Sequence, residues 1–366
     1  MIRCDVAVVG GGPAGLAVAI AAARRGLGAV VVERGPLPVD KACGEGLLPG
    51  GVAALERAGV LPLLAPAARA PLEGVRYVQE DGSSAEGCFP APRGLGVRRT
   101  ALAEALLARA RALGVDVRSP CAALGHHRTE GGVELTTAHG PVAAKLLVAA
   151  DGLGSRLRRM EGLEIPAAGP RRFGLRRHYQ VRPWSPFVEV HLADGAEAYV
   201  TPVGPDRVGV ALLWAGARPP GPGGGFDPLL ARFPALAARL AGAAPTSRLR
   251  GAGPFARAAR ARVADRIALV GDAAGYVDAL TGEGLSLAFR CAEALGELLP
   301  EALARGATRE ALWPYELAFQ RIFRKYAWLT RGLLHLAARP RLRRPLVRWL
   351  SRNPRAFDVL LEHALA

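Results

Sequence analysis

Short apolar stretches alternate with glycine-rich turns in the first part of the chain. Cys4–Val9 is apolar and of strand length, Leu16–Arg25 has a helical composition, and Gly28–Val32 is apolar again. Gly26 stands where a helix would end. The interrupting glycines and the second strand argue against a signal peptide or a membrane span in this region. The pattern therefore predicts strand, turn, helix and strand, as at the start of an α/β fold with a parallel sheet.

Later apolar runs extend this prediction. Leu146–Ala150 and Arg266–Val270 are expected to be further buried strands, and a helix is expected from about Leu285 to Leu299. Residues 171–215 alternate apolar and polar positions between turns, which predicts an antiparallel sheet. Its four strands are expected at Gly174–Val181, Phe187–Leu192, Ala196–Val203 and Arg207–Trp214.

Residues 311–366 have the pattern of basic, amphipathic helices, with Trp and Leu side chains interspersed with arginines. Two interpretations are open. The helices could lie on a membrane surface and receive a lipophilic substrate, or they could pack on the α/β domain with their arginines facing outward. The sequence favours packing and leaves a peripheral membrane contact as the alternative.

Composition and charge argue against several classes of protein. The chain has 366 residues, half of them hydrophobic, which suits two intertwined domains around a sizeable core. The net charge of +16 is almost entirely arginine, and no nucleic-acid-binding motif accompanies it, which argues against a nucleic-acid partner. The five cysteines are scattered and form no C-x-x-C pair. This usage predicts a reduced, cytoplasmic protein without a disulfide framework or a metal site.

The first turn, Gly10-Gly11-Gly12-Pro13-Ala14-Gly15, fits the dinucleotide-binding pattern G-x-G-x-x-G. Gly10 permits a tight turn, Gly12 lets the backbone approach a pyrophosphate, and Gly15 lets the helix pack close to the strand. Glu33 follows 18 residues after Gly15, where an acid can bind ribose hydroxyls and would repel the 2′-phosphate of NADP. This motif alone is compatible with both FAD and NAD.

Two later motifs make the assignment more specific. Residues 151–158 fit D-G-x-x-S-x-x-R, and Gly271-Asp272-Ala273-Ala274-Gly275 follows the next predicted strand. Taken together, at separations of about 140 and 120 residues, the three motifs resemble the flavoprotein family typified by para-hydroxybenzoate hydroxylase. Segments 40–47, 281–284 and 353–357 are similar to the branch of that family that contains geranylgeranyl reductases and flavin-dependent halogenases.

The resemblance implies an α/β fold with a Rossmann-like FAD-binding domain of the GR2 type, an antiparallel β-sheet substrate domain and C-terminal helices. The FAD-binding domain would be discontinuous, formed by residues 1–70, 95–165 and 250–310. Residues 71–94 and 166–249 would form the substrate domain, and residues 311–366 the C-terminal helical region.

The resemblance also implies which residues bind FAD. Asp272 would bind the ribityl chain, and residues 282–284 would run beside the isoalloxazine ring. Asp151 and Arg158 would hold the strand–loop junction, and Arg99, with Thr100 as a helix cap, would contact the cofactor. The expected set is Gly10, Gly12, Pro13, Ala14, Gly15, Glu33, Arg34, Lys41, Cys43, Gly44, Arg99, Asp151, Gly152, Gly271, Asp272, Ala273, Gly282, Gly284 and Leu285.

The substrate pocket is expected over the flavin, against the antiparallel sheet. The substrate is expected to be a small lipophilic or aromatic molecule. Polar and aromatic side chains on the predicted strands are its candidate lining residues, and His178 among them is a candidate base. The candidates are His178, Tyr179, Trp184, His191 and Trp214.

Several reactions remain open. The larger family favours NAD(P)H-coupled monooxygenation, either hydroxylation or epoxidation through a flavin C4a-hydroperoxide. The alternative is reduction of isoprenoid C=C bonds, as in the geranylgeranyl reductases, and a halogenase or a maturation flavoprotein is a further alternative. Cys43 and Glu283 are the candidate catalytic residues.

The chain carries no second strand–G-x-G-x-x-G–helix unit. Residues 221–225 are glycine-rich, but no predicted strand precedes them and no helix follows, so they predict a loop. Electrons are therefore expected from NAD(P)H that binds transiently or from a separate reductase.

Overall fold

The computed structural model describes residues 1–216 and 225–365. The predicted glycine-rich loop lies outside the described residues except for its last residue, Gly225. The strands, in chain order, are β1 (Ile2–Val9), β2 (Ala29–Val32), β3 (Gly46–Leu47), β4 (Arg69–Leu72), β5 (Gly74–Val78), β6 (Ser84–Cys88), β7 (Gly94–Val97), β8 (Asp116–Arg118), β9 (Ala123–Arg128), β10 (Val133–Thr137), β11 (Gly140–Ala149), β12 (Glu164–Ile165), β13 (Arg172–Gln180), β14 (Phe187–Ala193), β15 (Ala196–Gly204), β16 (Arg207–Ala215), β17 (Arg250–Ala252), β18 (Ala258–Ala259), β19 (Val263–Ala264) and β20 (Ile267–Leu269).

The helices account for most of the remaining regular structure. They are α1 (Pro13–Ala23), α2 (Pro49–Arg57), α3 (Arg99–Ala112), α4 (Arg156–Met160), α5 (Phe226–Leu230), α6 (Pro234–Arg239), α7 (Gly284–Ala304), α8 (Arg309–Ala337), α9 (Pro340–Arg352) and α10 (Pro354–Leu365).

The first large sheet carries the three motifs. Its strand order is β19-β20-β11-β1-β2-β8, and β20, β11, β1, β2 and β8 run parallel to one another, whereas β19 and β10 pair antiparallel with β20 and β11. The central residues of the apolar runs predicted as strands are buried because α1, α3 and α7 share one hydrophobic core with them. The parallel sheet with its packed helices confirms the predicted Rossmann-like α/β fold.

The second large sheet has the strand order β17-β13-β16-β15-β14-β5-β6. β13, β14, β15 and β16 pair antiparallel, as the alternation predicted, whereas β5 runs parallel to β14. On one face, Tyr179 and Trp214 pack against α5 and α6 in a separate hydrophobic cluster. The other face is therefore the one that remains for a ligand.

The C-terminal helices link the two sheets. α8 packs on α7, and Tyr315 and Phe319 are buried in the first core. α9 and α10 cover β6, and the buried Arg343 on α9 binds the side chains of Gln79 and Glu80. The packing that the sequence favours is thus present. None of the described helices combines the length and the apolar character needed to cross a bilayer.

Candidate functional site

The three motifs meet because each follows one of three adjacent parallel strands, β1, β11 and β20. Gly10 has a φ of +113°, and a Cβ on it would lie 2.3 Å from the carbonyl oxygen of Ala150. A Cβ on Gly15 would lie 1.9 Å from the carbonyl oxygen of Gly10. Only glycine fits at each of these two positions. The close approach of Gly10 to Ala150 brings the first and second motifs together at the carboxyl edge of the sheet.

Glu33 shapes the first turn from the end of β2. One carboxylate oxygen accepts the N–H of Gly11 at 2.8 Å, and the other accepts the N–H of Gly35 at 3.2 Å. The carboxylate therefore lies beside the turn that would carry a dinucleotide, where the sequence predicts a ribose contact. Arg34, the next residue, is exposed on the protein surface.

The buried guanidinium group of Arg99 lies beside the first turn. Its Nη2 lies 3.8 Å from the position of a Cβ on Gly12, and nothing else approaches that position within 4 Å. Its Nη1 is buried and has no hydrogen-bond partner among the described residues. Burial lowers the pKa of this guanidinium. A buried donor facing an open glycine backbone fits the pyrophosphate of FAD, which would supply the missing acceptor.

The third motif contributes an acid to the same space. Asp272 lies in a short helical turn after β20, and burial raises its pKa, although Lys41 and Arg99 oppose that rise. Gly271, with a φ of +64°, brings the turn to within contact of Ala14. The two motifs thus form a continuous surface at the N-terminus of α1, where free N–H groups favour an anion.

These surfaces line one cavity of about 490 Å³, a size typical of ligand sites. Most of the residues predicted to bind FAD or to act in catalysis border it. They are Gly12, Pro13, Ala14, Lys41, Cys43, Gly44, Arg99, Gly152, Gly271, Asp272, Gly282, Glu283, Gly284 and Leu285.

The cavity continues into an apolar region that the predicted motifs do not describe. Its walls are mainly aliphatic side chains from the second sheet and from the C-terminal helices, together with the aromatic side chains of Tyr77, Phe89, Tyr199, Phe255, Tyr276 and Phe357. The aliphatic residues include Val75, Val188, Val190, Leu192, Ala211, Leu213, Leu329, Leu333, Leu336, Leu346, Val347, Leu350, Leu360 and Leu361. The cofactor surface and this aliphatic region thus form one connected space.

The two predicted catalytic residues both border this space. Burial raises the pKa of the Cys43 thiol, although Arg99 opposes the rise. The N–H of Glu45 donates to Cys43 Sγ at 3.3 Å. Burial raises the pKa of Glu283 to about 7. Both groups therefore stay protonated to a higher pH than they would in water, which extends the pH range over which each could donate a proton.

Some predicted residues support the site without lining it. Asp151 accepts the N–H of Arg156 at 2.7 Å and so caps α4. Arg158 is fully buried and donates to the carbonyl of Ala273 at 3.0 Å and to Glu164 at 2.8 Å. It thereby joins the second motif to the third. The predicted residues outside the cavity lining are Gly10, Gly15, Glu33, Arg34, Asp151 and Ala273.

Two sequence predictions about this region are wrong. Thr100 does not cap α3, because the helix begins one residue earlier and Arg98 is its extended N-cap. None of the five candidate pocket residues on the second sheet lines the cavity. Strand side chains alternate between faces, and on β14 it is Val188, Val190 and Leu192, not His191, that point toward the cavity. The affected candidates are His178, Tyr179, Trp184, His191 and Trp214.

One polar residue of the site has no motif of its own in the sequence. Glu45 borders the cavity, and its carboxylate binds the N–H of Arg99 and the imidazole of His178. It lies between Cys43 and β3, inside the segment that carries the family resemblance. That segment was the available signal, but its pattern points to the cysteine and not to this acid.

The chain is similar to known flavin enzymes in sequence. A family model described as "FAD binding domain" matches residues 3–326. The menaquinone reductase of Mycobacterium tuberculosis is 31% identical over 335 residues, which cover 86% of this chain and 79% of that protein. Digeranylgeranylglycerophospholipid reductase 1 of Methanopyrus kandleri is 30% identical over 317 residues, which cover 83% and 82%.

Among solved structures, the p-nitrophenol 4-monooxygenase PnpA of Pseudomonas putida aligns with a TM-score of 0.82. The alignment covers 100% of this chain and 98% of that chain at 21% identity. At this identity the likeness concerns the fold.

Proposed function

We propose that this chain, which belongs to the FAD binding domain family and binds FAD as its cofactor, reduces C=C bonds of an isoprenoid lipid. It is an oxidoreductase, and the open question is which reaction it carries out. Two relatives at about 30% identity are named for reductions, and one of those names specifies a geranylgeranyl lipid. These names support the reductase alternative over the monooxygenase.

One observation carries the proposal: the aliphatic cavity opens directly onto the cofactor surface. A prenyl chain is long, flexible and apolar, and it gains about 0.8 kcal/mol for each CH₂ group that it buries. The walls provided by Val190, Leu213, Leu333 and Leu350 offer such burial without fixed polar partners.

The proposed proton donor is Cys43. When bound and reduced, FAD supplies a hydride for one carbon of the double bond, and the other carbon needs a proton. The thiol borders the cavity, and its raised pKa keeps it protonated near neutral pH. After the transfer, the Glu45 N–H and the positive charge of Arg99 would stabilise the thiolate. Glu283 stays the second candidate for this proton.

The remaining partners follow from this proposal. The described residues carry one dinucleotide-binding turn, and FAD would occupy it, so we propose that NAD(P)H binds transiently or that a separate reductase supplies electrons. The proposed substrate is a membrane lipid, so a peripheral membrane contact belongs to the same proposal. The alternatives to this reaction are monooxygenation of an aromatic or lipophilic compound, halogenation, and a role in the maturation of another protein.

The test is a single turnover without oxygen. FAD-loaded protein is reduced anaerobically and mixed with geranylgeraniol in D₂O, and the product is analysed by mass spectrometry. We expect flavin oxidation together with saturation of a double bond and incorporation of two deuterium atoms, because both the N5 hydrogen of reduced flavin and the proton of the donor exchange with D₂O. Cys43→Ala should slow this step about 100-fold, whereas Cys88→Ser, at an exposed cysteine, should not. Turnover that requires oxygen and adds an oxygen atom would instead establish a monooxygenase.

A further inference from the structure

The aliphatic cavity reaches the protein surface at the C-terminal helices. Leu346 on α9 and Leu360 on α10 both border the cavity, yet they are 36% and 54% exposed. The same side chains therefore belong to the cavity wall and to the outer surface. These two leucines therefore offer apolar surface both outside the protein and at the cavity wall.

The outer surface around this opening is itself apolar. On α9, Leu342, Leu346 and Trp349 are spaced by four and three residues, so they lie on one side of the helix. Leu342 is 53% and Trp349 is 52% exposed. The adjoining side of α9, with Val347 and Leu350, is buried against the cavity. We call Leu342, Leu346 and Trp349, together with Val359 and Leu360 on α10, the apolar face.

Arginines flank the apolar face. α9 contains five arginines and no acidic residue. Arg341 and Arg352 are exposed, and no ion pair to either is present among the described residues. Arg348 is also exposed, although it pairs with Asp81 at 2.6 Å. A helix with an exposed apolar side and flanking arginines has the form of an interfacial membrane helix, and its charge complements anionic lipid headgroups.

We propose that the apolar face docks on an anionic lipid bilayer, so that the opening between α9 and α10 meets the acyl region. Trp349 and the leucines would enter the headgroup–acyl boundary while the arginines contact lipid phosphates. A prenyl lipid would then enter the cavity along continuous apolar surface. This inference rests on the proposed function only for the identity of the lipid that enters.

Vesicle flotation of the FAD-loaded protein tests the docking without any turnover. One set of vesicles is phosphatidylcholine, and the other is equal parts phosphatidylcholine and phosphatidylglycerol. We expect binding to the anionic set, weakened by salt. Each of Arg341→Gln and Arg352→Gln should weaken it about fivefold. Leu342→Ser with Trp349→Ser should abolish it, and Trp313→Ser, at a tryptophan that is 40% exposed on α8 and outside this face, should not.

Equal binding to both vesicle types, or binding unaffected by the double variant, would overturn the proposal. Failure of docking is distinguishable from failure of the proposed function. If the protein reduces detergent-solubilised geranylgeraniol but does not float, the reaction stands and the docking surface is wrong. If it floats but reduces no prenyl substrate, the docking stands and the reaction is wrong. With both in place, the double variant should lose turnover of vesicle-embedded substrate and retain it in detergent.

Discussion

Glu45 and His178 are hydrogen-bonded to each other in the interior, carboxylate to Nε2, and both are almost fully inaccessible to solvent. Two groups approach His178 Nδ1: Ser247 Oγ at 2.8 Å and Arg176 Nη1 at 3.2 Å. The guanidinium can only donate and the hydroxyl can donate, so Nδ1 accepts. Nε2 therefore carries the proton and donates it to Glu45. Burial lowers the pKa of His178 although Glu45 opposes this, so the imidazole is neutral at physiological pH.

This arrangement places a carboxylate next to Cys43, which predicts the effect of neutralising it. Burial is the main reason that the pKa of Cys43 is raised, and the charge of Glu45 raises it further. Glu45→Gln should therefore lower the pKa of Cys43 and speed its alkylation by iodoacetamide at a fixed mildly alkaline pH. The measurement uses apo-protein carrying Cys88→Ser, so that the exposed thiol does not contribute. Slower or unchanged alkylation in a variant that keeps its melting temperature would contradict the prediction.

Cofactor affinity should depend on Arg99 more than on its neighbour Arg98. Arg99 borders the cavity with an unpartnered buried Nη1, whereas Arg98 lies outside the lining. A hydrogen bond to a charged group contributes about 1.5–3 kcal/mol, so Arg99→Gln should weaken FAD binding roughly 10- to 100-fold. Titration of apo-protein with FAD, followed by flavin fluorescence, measures this. Arg98→Gln serves as the matched control, and equal losses in the two variants would show that the assignment to Arg99 is wrong.

The stability of the apo-protein should fall with rising pH through Glu283. Its pKa is raised by burial to about 7 in the folded protein, against a usual value near 4.5. Its contribution is therefore fully present below about pH 4.5 and is lost as pH rises toward about 7. Glu283→Gln should raise the melting temperature at pH 8 relative to the wild type, and the difference should shrink at pH 5.

Glu293→Gln is the control, and its effect on stability should have the opposite sign. The pKa of Glu293 is lowered by the hydrogen bond to Arg57, at 2.8 Å, so its replacement should cost stability at pH 8.

The Glu283→Gln variant also distinguishes between the two candidate proton donors, Cys43 and Glu283. With Cys43 as donor, the variant retains its rate with prenyl substrate, whereas a fall of about 100-fold at all pH values would identify Glu283 as the donor.

The cofactor half of the site was predictable because its signals are local. Gly10 and Gly15 are required by backbone contacts of 2.3 and 1.9 Å, and such contacts leave an unambiguous pattern in the sequence. The three motifs follow buried strands whose apolar runs are continuous. Parallel pairing then brings their ends together, so order along the chain sufficed to predict their convergence.

The substrate half was not predictable in the same way. Which face of β14 meets the cavity depends on how the sheet packs against α8 and α9, and that packing is long-range. Alternation shows that Val190 and His191 point in opposite directions but not which of them faces a ligand. The five candidates stood out by their chemistry, whereas most of the cavity wall is built from aliphatic and aromatic residues that look like ordinary core. The domain boundaries likewise stay a prediction.

The attachment of α9 should depend on Arg343 and not on its neighbour Arg344. Arg343 is 1% exposed and donates to Gln79, to both carboxylate oxygens of Glu80 and to the carbonyl of Ala337. Arg344 is exposed and lies 3.5 Å from Glu80. Arg343→Met should therefore destabilise the protein by about 2 kcal/mol, whereas Arg344→Met should cost well under 1 kcal/mol, as surface ion pairs do.

The loss should be local as well as global, because these bonds hold α9 over the aliphatic cavity. In Arg343→Met, amide hydrogen exchange should speed up across residues 340–352 before it does in the parallel sheet. The exposed cavity wall should also bind an apolar dye such as anilinonaphthalene sulfonate more strongly than in Arg344→Met. Uniform acceleration of exchange throughout the chain would show that Arg343 stabilises the whole fold and that α9 does not open separately.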